Sequence, residues 1–232
     1  MPRFTLDSLI SAAISIAIIV FASIIHEIAH GVCALWRGDT TARDAGRLTL
    51  NPKTHIHPFG SIILPLLMAF SGGPVFGFAN PVPYNPRRLK NPHVDAFLVA
   101  IAGPLSNLLQ ALVGTLLLGA VLWCARTNVQ LASEYIGIIL PAQNILQRYI
   151  VCNCALFAFN IVPLPPLDGA SIISLVLPPR SRARFEELNA YALPILMIVL
   201  YVLPSLIGVD VISIYVRSVV SFLYTTLISF IL

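Results

Sequence analysis

The sequence predicts an all-α polytopic membrane protein: five or six transmembrane helices, with a re-entrant or extended segment between the first two core helices. Three observations predict it. Hydrophobic residues make up 57% of the 232-residue chain and charged residues only 10%, where soluble domains carry about 25%. The mean hydropathy is +0.87. The apolar residues also fall into long runs separated by short basic stretches, the pattern of membrane spans joined by loops. The formal charge of +4 therefore reads as loop charge that biases topology, and nucleic acid is excluded as a partner. Cys33, Cys124, Cys152 and Cys154 lie in or beside apolar runs without C-x-x-C spacing, so they read as packing residues. No loop is long enough for a second domain. The expectation is one membrane-embedded domain over residues 1–232, with a core at about 8–170 and two accessory helices at about 188–232.

The first run, Leu9 to Trp36, would be roughly 42 Å long as a helix. Asp7-Ser8 offers a cap, and Arg37-Gly38-Asp39 ends it. It reads as a retained helix rather than a signal peptide. Residues 37 to 58 are polar, and Arg47-Leu-Thr-Leu alternates as a short strand would. Phe59 to Phe70 is interrupted by Pro65 and too short to span, which suggests re-entry over about 59–79. The prolines of Gly77-Phe-Ala-Asn-Pro-Val-Pro-Tyr-Asn-Pro86 forbid a helix. A second span runs from about Val94 to Trp123. A third, from about Ile136 to Val162, is the most polar, with Gln143, Asn144, Gln147, Arg148, Asn153 and Asn160. Two further spans follow at about 188–207 and 211–232, with Pro194 and Pro204 as kinks.

Basic residues cluster at 37–58, 85–93 and 178–187. Basic loops favour the cytoplasm. All three can lie there only if 59–79 enters and leaves on one side, which puts the N-terminus outside and the C-terminus inside. A sixth short span at 59–79 is the alternative.

Within the first run lies His26-Glu27-Ile28-Ala29-His30. Helical positions four apart share a face, so both imidazoles can reach one ion. Such a pair suits zinc, with the glutamate acting on a bound water. Ionisable groups in an apolar segment are costly and seldom incidental. A catalytic zinc takes three protein ligands and keeps one open position. Candidates for the third are His55, His57, His93, Asp168 and the other carboxylates. Parity favours Asp168: the first span descends, the second rises, and the third descends to the same side. His55 and His57 read instead as a solvated loop, His93 as interfacial. Arg148 reads as structural, snorkelling or pairing with Glu134.

These residues resemble the site-2 proteases, intramembrane zinc metalloproteases. The resemblance rests on H-E-x-x-H at 26–30, A-G-P-L-x-N at 102–107 and N-x-x-P-x-P-P-L-D-G at 160–169, with the 77–86 stretch similar to that of compact bacterial members. It covers roughly residues 20 to 170 and lacks the PDZ domain of larger members. It implies one Zn2+ per chain held by His26, His30 and Asp168, with Glu27 as the catalytic carboxylate. Asn107 matches a polar position facing the site, a catalytic donor to substrate or oxyanion. Asn160 opens the aspartate motif and is the expected substrate contact. The implied activity is hydrolysis of transmembrane or membrane-inserted proteins near the cytoplasmic face of a bacterial plasma membrane, as in regulated intramembrane proteolysis. The alternative is a membrane zinc-binding or transport protein using the same ligands. Glu27 favours the enzyme, because a transporter has no evident use for a carboxylate beside a bound water.

Overall fold

A computed structural model describes residues 5–57, 60, 63 and 80–231. Among them the structure is helical, with no strand. Six helices carry the architecture: α1 (Leu6–Trp36), α2 (Pro92–Thr127), α3 (Ile136–Asn160), α4 (Asp168–Val176), α5 (Leu188–Ile207) and α6 (Val211–Ser229). Four of these, α1, α2, α5 and α6, are long and apolar enough to cross a membrane. The polar α3, at 25 residues, is long enough at about 37 Å. The expected re-entrant segment at 59–79 lies, apart from Gly60 and Ile63, outside the described residues.

Local chemistry sets the boundaries. Thr5, not Asp7-Ser8, caps α1: its hydroxyl accepts from Ser8 N, and Ser8 Oγ accepts from Thr5 N. Proline at the first position starts α2. Asp95 in its first turn is fully buried, accepting from Asn91 N and from Arg37 at the end of α1. The expected strand at 47–50 is a bend instead, because Arg47 turns its guanidinium onto the carbonyls of Asn80 and Pro81. In α5, the stretch Ile198–Val202 widens into a π-turn just before Pro204, which has no N–H to donate to the preceding turn.

The contacts give the helix directions. His30 meets Val99, His26 meets Asn107 and Gln110 meets Ala22, so α1 and α2 are antiparallel. Asn107 meets Asn153 and Gln110 meets Tyr149, which makes α3 antiparallel to α2. Arg148 donates to Ser11 Oγ at 2.7 Å rather than reaching Glu134. Small residues (Ala22, Ala100, Ala111, Ala158) are buried where the helices meet, letting backbones approach closely.

The C-terminal part differs from the expectation. Leu196 and Leu200 of α5 form one buried cluster with Val162 and Leu167, and Ile212 at the start of α6 packs on it. At the other end, Ile231 lies against Gly119. Helix α6 therefore starts beside the turn that follows α3 and runs parallel to α2, away from it. The C-terminus lies at the end opposite that turn, not on the same side. The reason is that Leu196 and Leu200 anchor the middle of α5 at the level from which α6 departs.

Candidate metal centre

Helix α1 places His26 and His30 on one face with their Nε2 atoms 3.1 Å apart. Each ring is fixed from behind. His26 Nδ1 lies 2.6 Å from Asn107 Oδ1, and His30 Nδ1 lies 2.7 Å from the Val99 carbonyl. Both partners are acceptors only, so each Nδ1 carries the proton and donates it. That leaves a lone pair on each Nε2. The rings rest on Gly103 of α2, where a methyl group would collide with His30 Nε2 and stand 2.7 Å from His26 Cε1.

Asp168 arrives from a different part of the chain. After α3 ends at Asn160, the proline-rich stretch Pro163-Leu-Pro-Pro166 interrupts the helix, and α4 begins at Asp168 itself. Gly169 lets that start sit directly on the carbonyls of Ile161 and Val162; a side chain there would overlap both. Asp168 Oδ2 is thereby 3.1 Å from His26 Nε2, and Oδ1 is 3.4 Å from His30 Nε2.

The three side chains fit a cation. Asp168 Oδ2 is buried with no hydrogen-bond donor, because the nearby Nε2 has no proton to give. Three electron-rich atoms thus converge, an arrangement that a cation stabilises. For zinc bonds of about 2.0–2.1 Å, a tetrahedral site needs ligand separations of about 3.3–3.4 Å. Here the two Nε2 atoms are 3.1 Å apart, Asp168 presents Oδ2 to His26 at 3.1 Å and Oδ1 to His30 at 3.4 Å, and one ligand atom from each residue lies within 4.8 Å of the other two. His26, His30 and Asp168 are the group of potential ligands found among the described residues. Two imidazoles with one carboxylate suit zinc.

Glu27 lines the same cavity, of about 1480 Å³, as His26, His30 and Asp168. Its Oε2 accepts from the backbone N–H of Val82 at 2.9 Å. Residues 80–84 cross this edge of the site, held by Arg47 at Asn80 and by Asp39 at Asn85. Gly31, one turn past Glu27, leaves room for Val82 Cγ1, which a methyl group there would meet at 2.8 Å.

The structure therefore brings together His26, Glu27, His30 and Asp168. Asn160 lines the cavity, its amide donating to the Leu156 carbonyl. Asn107, expected as a donor to substrate, turns its side chain to His26 and Asn153 and is not among the residues that line the cavity. It is fully buried, its oxygen faces His26, and its Nδ2 donates to Asn153 Oδ1 at 3.0 Å. The other histidines lie elsewhere. His55 is buried rather than solvated, with Nε2 at 2.8 Å from the Thr49 carbonyl. His57 accepts from Gly60 N. His93, exposed at the start of α2, meets Arg182. Sequence reasoning assigned no role in the site to Asn153, although it was visible as one of the polar residues of the third span. The Val82 N–H is a backbone group and has no sequence signal.

A family model described as Peptidase family M50 matches residues 12–203. YwhC of Bacillus subtilis, named as a zinc metalloprotease, is 42% identical over 179 residues, which are 77% of this chain and 75% of that protein. Two proteins named as zinc metalloprotease Rip2 are each 29% identical. The one from Mycobacterium tuberculosis (strain ATCC 25618 / H37Rv) aligns over 79% of this chain and 64% of its own length. The one from Mycolicibacterium smegmatis aligns over 78% and 64%. No solved structure matches the chain.

Proposed function

The chain belongs to peptidase family M50, and we propose that it cleaves transmembrane or membrane-inserted proteins within the bilayer, near its cytoplasmic face, in regulated intramembrane proteolysis. It is a multi-pass zinc metalloprotease. The observation that carries the proposal is Glu27 beside the converging His26, His30 and Asp168, all opening on one cavity between apolar helices.

His26, His30 and Asp168 would hold one zinc per chain. When bound, zinc supplies Lewis acidity, making a water more acidic and polarising the scissile carbonyl. Glu27 takes the proton of the attacking water and passes it to the leaving amine nitrogen. The bond from Val82 N–H holds one carboxylate oxygen, leaving the other for proton transfer. Asp168, at the start of α4, has its negative charge next to the positive end of that helix dipole. Asn160 is in position to contact substrate. A helical peptide has its carbonyls engaged in hydrogen bonds, so the cleaved segment has to be locally extended.

The cytoplasmic assignment is supported by where the basic clusters meet. Lys90 N donates to the Arg37 carbonyl, Arg47 binds the chain at 80–81, and Arg182 meets His93. All three clusters thus gather at the end of the helix bundle nearest the site, as the positive-inside rule requires of one cytoplasmic face.

Metal content and cleavage of wild-type and Asp168→Ala protein test the reading. The expected result is about one zinc per chain for wild type, a strong loss of zinc in the variant and no cleavage by it. A variant that retained full zinc would remove the ligand set, and one that still cleaved at the wild-type rate would remove the mechanism.

A further inference from the structure

We propose that Asn153 is a positioning residue for the metal centre: it fixes the Asn107 amide, and through it the tautomer of His26 that exposes Nε2 to zinc. The inference rests on His26 being a zinc ligand.

The argument follows the direction of each hydrogen bond. The Tyr149 carbonyl can only accept. Asn153 Nδ2 donates to it at 3.0 Å, so the Asn153 oxygen has to point the other way, toward α2. There Oδ1 can only accept, and it accepts from Asn107 Nδ2 at 3.0 Å. The Asn107 oxygen then faces His26 Nδ1 at 2.6 Å, and Nδ1 has to be the donor. A neutral imidazole has one N–H, so His26 Nε2 is left with its lone pair directed at Asp168. Each step is imposed by the one before, and the series begins at a backbone carbonyl that cannot be reversed.

The burial is what makes this consequential. Asn107 and Asn153 are both fully enclosed, so neither amide can turn over and satisfy itself with water. A reversed Asn107 would present N–H to His26, draw the proton onto Nε2 and close the ligand position. The remaining polar groups brace the same frame. Tyr149 hydroxyl donates to Gln110 Oε1 at 2.8 Å, and Gln110 lies 3.4 Å from the Ala22 carbonyl of α1. This ties all three helices together one turn from His26.

The test is zinc affinity measured by chelator competition on the full-length protein in detergent, alongside its thermal midpoint. Asn153→Leu keeps the volume but removes the acceptor for Asn107. Its zinc dissociation constant is expected to rise about ten- to hundred-fold, the usual effect of losing a group that orients a metal-bound histidine. Asn153→Asp keeps the size of the side chain and an oxygen acceptor for Asn107 and is expected to restore most of the affinity. Nitrogen-15 shifts of His26 in the zinc-free Asn153→Leu protein are expected to show protonated Nε2, a readout that general loosening of the fold would not give. His26→Ala separates the two claims: if it binds zinc normally, the ligand reading itself fails. If His26→Ala loses zinc while Asn153→Leu binds it like wild type, or retains protonated Nδ1, the positioning role is overturned.

Discussion

The backbone N–H of Val82 donates to Oε2 of Glu27 at 2.9 Å, across 55 positions in sequence. The Glu27 carboxylate is thus oriented by the peptide chain that crosses the site, and that chain is anchored at Asn80 by Arg47 and at Asn85 by Asp39.

Glu27→Gln separates binding from catalysis. The amide oxygen of glutamine can still accept from Val82, so the fold and the zinc site are expected to persist. The proton acceptor is lost, and cleavage is expected to fall at least about 100-fold. Metal analysis and a cleavage assay on the same preparation check both halves. Equal cleavage by the variant would exclude Glu27 as the base.

Gly103→Ala tests the backing of the two histidines. Alanine favours a helix by about 1 kcal/mol over glycine, so helicity should be undiminished. The new methyl group would overlap His30 Nε2 and approach His26 Cε1 at 2.7 Å, which displaces both rings. Circular dichroism unchanged with zinc binding weakened is the expected pair of results.

Arg182→Met tests how the helix carrying Asp168 is held at its far end. Arg182 Nε donates to the Ser174 carbonyl at 2.7 Å, and Nη2 donates to those of Leu175 and Leu177 at 3.0 and 3.3 Å. These are carbonyls of the end of α4 and the residue after it, which lack helical partners. Removing the guanidinium should cost about 1–3 kcal/mol, read as a lower thermal midpoint. A midpoint equal to that of wild type would show that water replaces these bonds.

Asp39 gives a pH dependence outside the membrane. Burial alone would raise its carboxyl, but hydrogen bonds from the Thr41 hydroxyl, Asn85 N and Thr41 N, together with nearby Arg88, hold it below the usual carboxylate range. With the folded pKa below the unfolded one, the unfolded chain takes up the proton first as pH falls. The stabilisation is complete above the ordinary carboxylate value of about 4 and is lost on going down through the folded value. Thermal midpoints between about pH 6 and 3 should therefore show Asp39→Asn well below wild type at the upper end, with the gap closing below about pH 4. A constant gap would show that the charge on Asp39 contributes nothing.

What could be read in the sequence is what its local chemistry imposes. Apolar runs long enough to cross a bilayer, broken by prolines and basic loops, set the helices and most of their boundaries. The spacing of His26 and His30 set a shared face. Parity of the spans brought Asp168 to the same end, because the number of crossings constrains which ends can meet. Periodicity could not reveal that α6 leaves from the site end, since that depends on Leu196 and Leu200 finding Val162 and Leu167, a packing match between distant apolar residues of ordinary composition. The direction in which Asn107 points was equally hidden. An asparagine reads the same in sequence whether it faces a cavity or a histidine.

The sequence by itself determined the candidate ligands, the carboxylate beside them and the membrane setting, because each follows from residue type at short range or from counting crossings. Only the tertiary structure decided how those groups are held: Gly103 behind the rings, Val82 on Glu27, and the run of bonds from Tyr149 through Asn153 and Asn107 to His26. The physical reason is that a hydrogen bond has a direction, and its direction is fixed by what lies on both sides of it in space, which no stretch of one chain records.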